Sequence, residues 1–322
     1  MSSPSLKDIN IVIADGHTLN PGDLSWDEIY DLGNIQYYDR TPVALMAERC
    51  KDAVIIVTNK APVNAETING AKQLRLIAVT ATGYNIVDTE AAKKNGVIVC
   101  NVPVYGTDSV AQHTFSLLLE LSNRVGLHAE SVARGEWSKA ADWCYTLSPI
   151  TEISGKTLGI VGFGRIGQRV ARIAQAFGMQ VLYHNRSAKE GLGKQVSMEE
   201  LFSKSDFVSL HCPVTRDNTG FVNAALLSLM KPTAFLINTS RGQLINEKEL
   251  AEVLKNRGIT GAALDVLSIE PPPADHPLIG IPGCLITPHV AWVSFEARKR
   301  LMKATKENIA DFLNGSPQNL VN

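Results

Sequence analysis

The chain has 322 residues, of which 45% are hydrophobic and 20% charged, and its 31 Lys plus Arg against 32 Asp plus Glu leave a net charge of −1. These proportions exclude a disordered, collagenous or disulfide-scaffold protein, and near-neutrality excludes the basic footprint of nonspecific nucleic-acid binding. No apolar run approaches the roughly 18–20 residues of a membrane span, and the N-terminal MSSPSLKDINIVIADG carries no secretory-signal pattern.

The predicted elements alternate. Residues 9–14, 53–57, 76–79 and 97–100 are short, apolar and rich in β-branched side chains, the pattern of strands buried on both faces. Helices are expected between them at 24–32, 42–50, 64–71 and 88–95. The longest helical candidate, 107–135, follows, with Asp108 or Ser109 as its cap and Val110, Phe115, Leu118, Leu119 and Leu121 along its apolar face. A second series places strands at 158–161, 181–184, 207–210, 234–237, 261–264 and 285–286. Its helices are expected at 165–177, 198–203, 224–230 and 247–256. The last helix, 294–314, stops at Gly315 and Pro317, and its Arg298-Lys299-Arg300 reads as a solvated face. Such alternation predicts an α/β protein with two doubly wound parallel-sheet domains. The five cysteines are scattered and never in C-x-x-C spacing, which points to reduced, mostly buried thiols, a cytoplasmic location and no metal site.

Gly162-Phe163-Gly164-Arg165-Ile166-Gly167 follows one predicted strand and opens one predicted helix. In that context G-x-G-x-x-G signals a dinucleotide: Gly162 makes the turn, Gly164 admits a pyrophosphate, and Gly167 lets helix and strand pack. The next strand ends at Asn185-Arg186-Ser187, without the acid that holds the ribose hydroxyls of NAD. Arg186 suits a 2′-phosphate, which favours NADP(H) over NAD(H), although a merely solvated Arg186 beside NAD fits the same residues. The dinucleotide turn lies past residue 160, the long helix at Thr107 carries the chain into that domain and the last helix carries it back, which sets the domains at 1–103 with 295–322 for substrate and 104–294 for cofactor.

Three later segments each end a predicted strand on polar residues: Asn238-Thr239-Ser240-Arg241-Gly242, Asp265 through Glu270, and Thr287-Pro288-His289. Open α/β sheets bind ligands at such ends. Taken singly, each residue has an ordinary reading as loop or cap. Taken in order, GFGRIG, NTSRG, DVLSIEPP and TPHVA resemble the D-isomer-specific 2-hydroxyacid dehydrogenases along nearly the whole chain, closest to the glycerate dehydrogenase and hydroxypyruvate reductase branch.

That resemblance implies a Rossmann cofactor domain inserted into a flavodoxin-like substrate domain. It also implies a catalytic set of Arg241, Glu270 and His289, and a substrate-carboxylate cradle at Thr82 and Gly83. Arg165, Ile166, Pro213, Thr239 and Asp265 join the cofactor residues, with Asp265 accepting from the nicotinamide amide. Chemistry gives each catalytic residue a role: His289 exchanges a proton, Glu270 orients and stabilises its ring, and Arg241 grips the 2-oxo carboxylate. His113 reads as packing or capping, and His211-Cys212-Pro213 as groove lining. The aromatic segment of Trp137, Trp143 and Tyr145 suggests a homodimer arm. The expected substrate is a small 2-oxo or 2-hydroxy acid, hydroxypyruvate or glyoxylate. A bulkier 2-oxo acid, 3-phosphoglycerate, or a dinucleotide-sensing corepressor are the alternatives.

Overall fold

The computed structural model describes residues 9–189 and 191–322; the first eight residues of the N-terminal segment without a signal pattern lie outside the described residues. The chain divides into two compact units, Met1–Gly106 with Val293–Asn322, and Thr107–Trp292.

The first unit is built on β1 (Asn10–Ile13), β2 (Asn34–Tyr37), β3 (Ile55–Thr58), β4 (Leu76–Val79) and β5 (Ile98–Cys100), all parallel in the order β2-β1-β3-β4-β5. Four of these match the apolar runs. The edge strand β2 was not expected, because NIQY is half polar and only half covered, so it lacks the doubly buried signature. Short helices start on side-chain caps: Asn64 accepts from the Thr67 N–H and Asp88 from the Ala91 N–H. The predicted helix at 24–32 shrinks to Asp27–Tyr30, and 42–50 splits into a 3₁₀ turn, Val43–Leu45, and the helix Met46–Cys50.

The last helix, Phe295–Leu313, is capped by the Ser294 hydroxyl and packs on β4. Beyond it the chain runs antiparallel along β5: Leu320 bridges Cys100, and the Val321 N–H donates to Val99 O at 3.0 Å. The sequence placed Arg298 on a solvated face, and the structure corrects this. Arg298 is only 7% exposed and forks onto both oxygens of Asp23 at 2.6 and 2.5 Å, while Nε donates to Val293 O. Periodicity cannot reveal an ion pair whose partner lies far back in the chain.

The second unit holds β6 (Thr157–Val161), β7 (Gln180–His184), β8 (Lys194–Gln195), β9 (Phe207–Leu210), β10 (Phe235–Asn238), β11 (Gly261–Leu264) and β12 (Cys284–Ile286) in a parallel sheet ordered β12-β11-β10-β9-β6-β7-β8. Successive residues feed opposite cores. Leu236, Val208 and Leu264 join one cluster with Leu201, Phe202 and Leu250, whereas Phe235, Ile237 and Phe207 join the other with Phe115, Leu118 and Val170. Both faces of the central β9, β10 and β11 are therefore dry, which is why these strands are predominantly apolar. The strand order reverses between β6 and β9, the switch point where such sheets open a crevice.

The long helix expected at 107–135 is two helices, Thr107–Asn123 and Val125–Ala133, broken where Arg124 turns left-handed at φ 51. Asp108 and Ser109 do not cap it, because the helix already begins at Thr107. Asp108 pairs with Arg169 at 2.7 Å, and the Ser109 hydroxyl donates to Ala291 O.

Candidate active site

The glycine turn joins β6 to the helix Arg165–Ala176, whose cap, Gly164, offers no side chain to the first helical N–H groups. Gly162 sits at φ 91, and a Cβ there would stand 2.6 Å from Cys212 N and His211 C. A Cβ on Gly167 would strike Gly162 O, so the turn closes only with glycine at both positions. At Gly164 an added Cβ meets no protein atom within 4 Å, which leaves open space over the helix N-terminus. Unshared N–H groups facing open space fit a pyrophosphate. Asn185 steadies this turn: Oδ1 accepts the Phe163 N–H at 3.1 Å and Nδ2 donates to Ser187 O at 2.8 Å. Arg165, Arg186 and Ser187 are exposed and Ile166 is half-buried.

Across the switch point, Pro213 is exposed just past β9. Burial pushes the neighbouring His211 down to about 3, and its Nε2 lies 2.8 Å from the Ser209 hydroxyl. Thr239, at the end of β10, is buried with its hydroxyl 3.0 Å from that of Thr114.

The ends of β10, β11 and β12 lie side by side and carry the remaining candidates. Arg241 follows β10, with Nη1 donating to Ser240 O at 2.7 Å. Glu270 follows β11 and His289 follows β12, and the structure joins these two: His289 Nδ1 lies 2.7 Å from Glu270 Oε2. Glu270 Oε1 accepts the Leu267 N–H at 3.0 Å, so the carboxylate is held from two sides. With Nδ1 committed, Nε2 is the ring nitrogen left to exchange a proton.

His289 is left-handed at φ 54, a conformation uncommon for a non-glycine residue and held here by its surroundings. Asp265 imposes it. Its carbonyl accepts the His289 N–H at 2.8 Å, and its carboxylate accepts the Val290 and Ala291 N–H groups at 2.8 and 2.9 Å and the Thr287 hydroxyl at 2.6 Å. His113 Nε2 completes the cluster 3.3 Å from Asp265 Oδ1. Burial alone would raise the Asp265 carboxyl, but the bonds from His113, Thr287, Ala291 and Val290 outweigh it and hold the group below its ordinary value. His113 and Thr287 are thus site residues that the sequence reading did not assign. Their signal is three-dimensional, since a helix begun at Thr107 delivers His113 beneath the end of β12.

In the first unit, Thr82 and Gly83 lie in the loop after β4. The Thr82 hydroxyl donates to Val102 O at 2.9 Å, and Thr82 O accepts from Asn101 Nδ2 at 2.7 Å. Among the described residues no group of three or more His, Cys, Asp or Glu side chains is placed to hold a metal.

Residues 115–291 match the family described as D-isomer specific 2-hydroxyacid dehydrogenase, NAD binding domain. The chain belongs to the D-isomer-specific 2-hydroxyacid dehydrogenase family. A hydroxypyruvate reductase from Blautia hydrogenotrophica is 44% identical over 98% of this chain and 100% of its own. The TT0316 protein from Thermus thermophilus superposes with a TM-score of 0.88 at 34% identity, covering 98% of this chain and 100% of that one. An NADPH-dependent glyoxylate/hydroxypyruvate reductase from Sinorhizobium meliloti, solved with NADP and malonate, gives 0.83 at 27% identity over 98% and 97%. The dehydrogenase is accordingly an oxidoreductase with a nicotinamide-binding domain.

Proposed function

We propose that this 2-hydroxyacid dehydrogenase reduces hydroxypyruvate and glyoxylate to D-glycerate and glycolate, with NADPH as the preferred donor. The single observation that carries the reading is the His289–Glu270 pair, 2.7 Å apart at the end of the sheet that carries Arg241. Gly162, Gly164 and Gly167 would hold the pyrophosphate over the helix Arg165–Ala176, with Asn185, Arg186 and Ser187 toward the adenosine end and Pro213, Thr239 and Asp265 toward the nicotinamide. The reduced nicotinamide, when bound, supplies the hydride. His289 delivers a proton from Nε2 to the developing alkoxide, and the Glu270 carboxylate compensates the charge the ring carries before transfer. Arg241 offers forked donors to the substrate carboxylate, and Thr82 and Gly83 are the substrate-binding candidates of the first unit.

The preference for NADPH is supported by the exposed Arg186 and by the absence of any acid at 185–187. A cytoplasmic location agrees with five free thiols, of which burial raises Cys50 and Cys100 to about 12. The exposed Trp137 and Trp143, beside the exposed Val125, Leu127 and Val132, support a homodimer that covers this face with a second copy.

A spectrophotometric panel crossing NADH and NADPH with glyoxylate, hydroxypyruvate, pyruvate and phenylpyruvate tests the reading. Fastest turnover of NADPH with hydroxypyruvate or glyoxylate is expected. Preference for phenylpyruvate would shift the substrate class, and tight NADPH binding without turnover would replace an enzyme by a dinucleotide sensor.

A further inference from the structure

Behind Glu270 lies a second buried acid–imidazole pair that the mechanism above does not use. Glu247 opens the helix Glu247–Lys255, shortly after Arg241, and its carboxylate is turned inward with only 11% of the side chain exposed. Three donors converge on it. The Ser268 N–H reaches Oε1 at 2.7 Å, the Ser268 hydroxyl reaches Oε2, and His276 Nε2 lies 3.2 Å from Oε2. The His276 side chain is 4% exposed, and its Nδ1 accepts the Leu278 N–H at 3.3 Å. Since Nδ1 is an acceptor, Nε2 carries the proton offered to Glu247.

Ser268 stands just before Glu270, in the loop whose Leu267 N–H holds Glu270 Oε1. Two further ties bind that loop to the chain leaving Arg241. Gln243 Nε2 donates to Ser268 O at 2.9 Å, and Gly242 packs so closely on Leu267 and Ser268 that a Cβ would collide with their backbone. One buried carboxylate therefore sets the spacing between the loop that bears Arg241 and the loop that bears Glu270.

We infer that Glu247, itself oriented by His276, is a positioning residue that fixes Glu270 on His289. This rests on the catalytic roles proposed above for Glu270 and His289. The wiring explains why a carboxylate is needed. In Glu247→Gln one amide oxygen can still accept from Ser268, but the amide nitrogen then faces the His276 N–H. Turning the His276 tautomer to receive it sets Nδ1–H against the Leu278 N–H. Some donor is left unpaired in either arrangement, and the loop before Glu270 loosens.

The test is a double-mutant cycle on the full chain with NADPH and hydroxypyruvate, using Glu247→Gln, Glu270→Gln and both together. Glu247→Gln is expected to lower kcat about tenfold, because small displacements of a catalytic group cost that much, with KM for hydroxypyruvate and Kd for NADPH kept within about twofold. In the Glu270→Gln background the same change is expected to cost nothing further, since its target is already gone. Ser268→Ala, which keeps the backbone bond and removes only the hydroxyl, should show the same non-additivity if Glu247→Gln fails to fold. Additive losses, or wild-type kcat in the single variants, would overturn the inference while leaving the catalytic reading intact. Full kcat in Glu270→Gln would instead remove the role of Glu270, and this inference with it.

Discussion

At the scale of single residues, a left-handed histidine is the site's most informative feature. The left-handed backbone of His289 at φ 54 carries a cost that is offset by the four acceptor contacts that Asp265 makes with Thr287, His289, Val290 and Ala291. A buried carboxylate is costly unless its oxygens find donors, and here Oδ1 takes Thr287 and Val290 and Oδ2 takes Ala291. The result is an imidazole whose backbone, ring and tautomer are set by separate acids, Asp265 for the first and Glu270 for the others. His289→Asn keeps a polar side chain that tolerates the left-handed backbone but loses the titratable ring nitrogen. Its kcat is expected to fall about 10²–10⁴-fold, with the Kd for NADPH, read by fluorescence titration, unchanged within about twofold. Near-normal turnover would take proton transfer away from this residue.

At the scale of elements, the parallel strands were legible because both of their faces are dry, and the glycine turn because its neighbours are a strand and a helix. The proposed catalytic set came from the family resemblance, and its members Arg241, Glu270 and His289 each follow a strand of the same sheet edge. What sequence could not convey was the support. Arg298 belongs to Asp23, His113 to Asp265, and Glu247 to Ser268 and His276, and each pair is separated widely enough that no local period links its members. The polar edge strand β2 and the break at Arg124 escaped for the same reason, since packing rather than local preference decides them.

The end of β9 supplies a test of pH behaviour. Burial depresses His211 from the ordinary 6.5 to about 3, so the unfolded chain binds a proton across that window and the folded chain does not. Stability is then fully present above about pH 6.5 and declines as pH falls toward about 3. In urea melts at about pH 7 and about pH 5, His211→Gln is expected to lose less of its midpoint on acidification than the wild type. Identical losses would show that His211 does not titrate on unfolding.

At the scale of the whole molecule, the two units bury their own cores, yet the second leaves a large apolar face open. Trp143 is 86% exposed, and Trp137, whose indole N–H donates to Trp143 O at 3.0 Å, is held beside it. Aromatic side chains ordered on a surface but left in water are the usual anchors of an interface. If this face forms the proposed homodimer, Trp143→Asp is expected to leave a monomer in sedimentation velocity at micromolar protein. An unchanged sedimentation coefficient in the variant would remove this face as the contact between copies.

The strand of residues 319–322 laid along β5 also bears on how the protein is made. Residue 320 leaves the ribosome 220 residues after Cys100, its partner across the sheet edge. At about 5–20 residues per second, the first unit waits on the order of ten to forty seconds for the segment that closes it. All of Thr107–Trp292, which forms the second compact unit, emerges during that interval. Until then the nascent first unit carries an open β5 edge, the kind of surface that pairs with other chains. The newborn polypeptide is exposed to aggregation at that edge until residues 319–322 arrive.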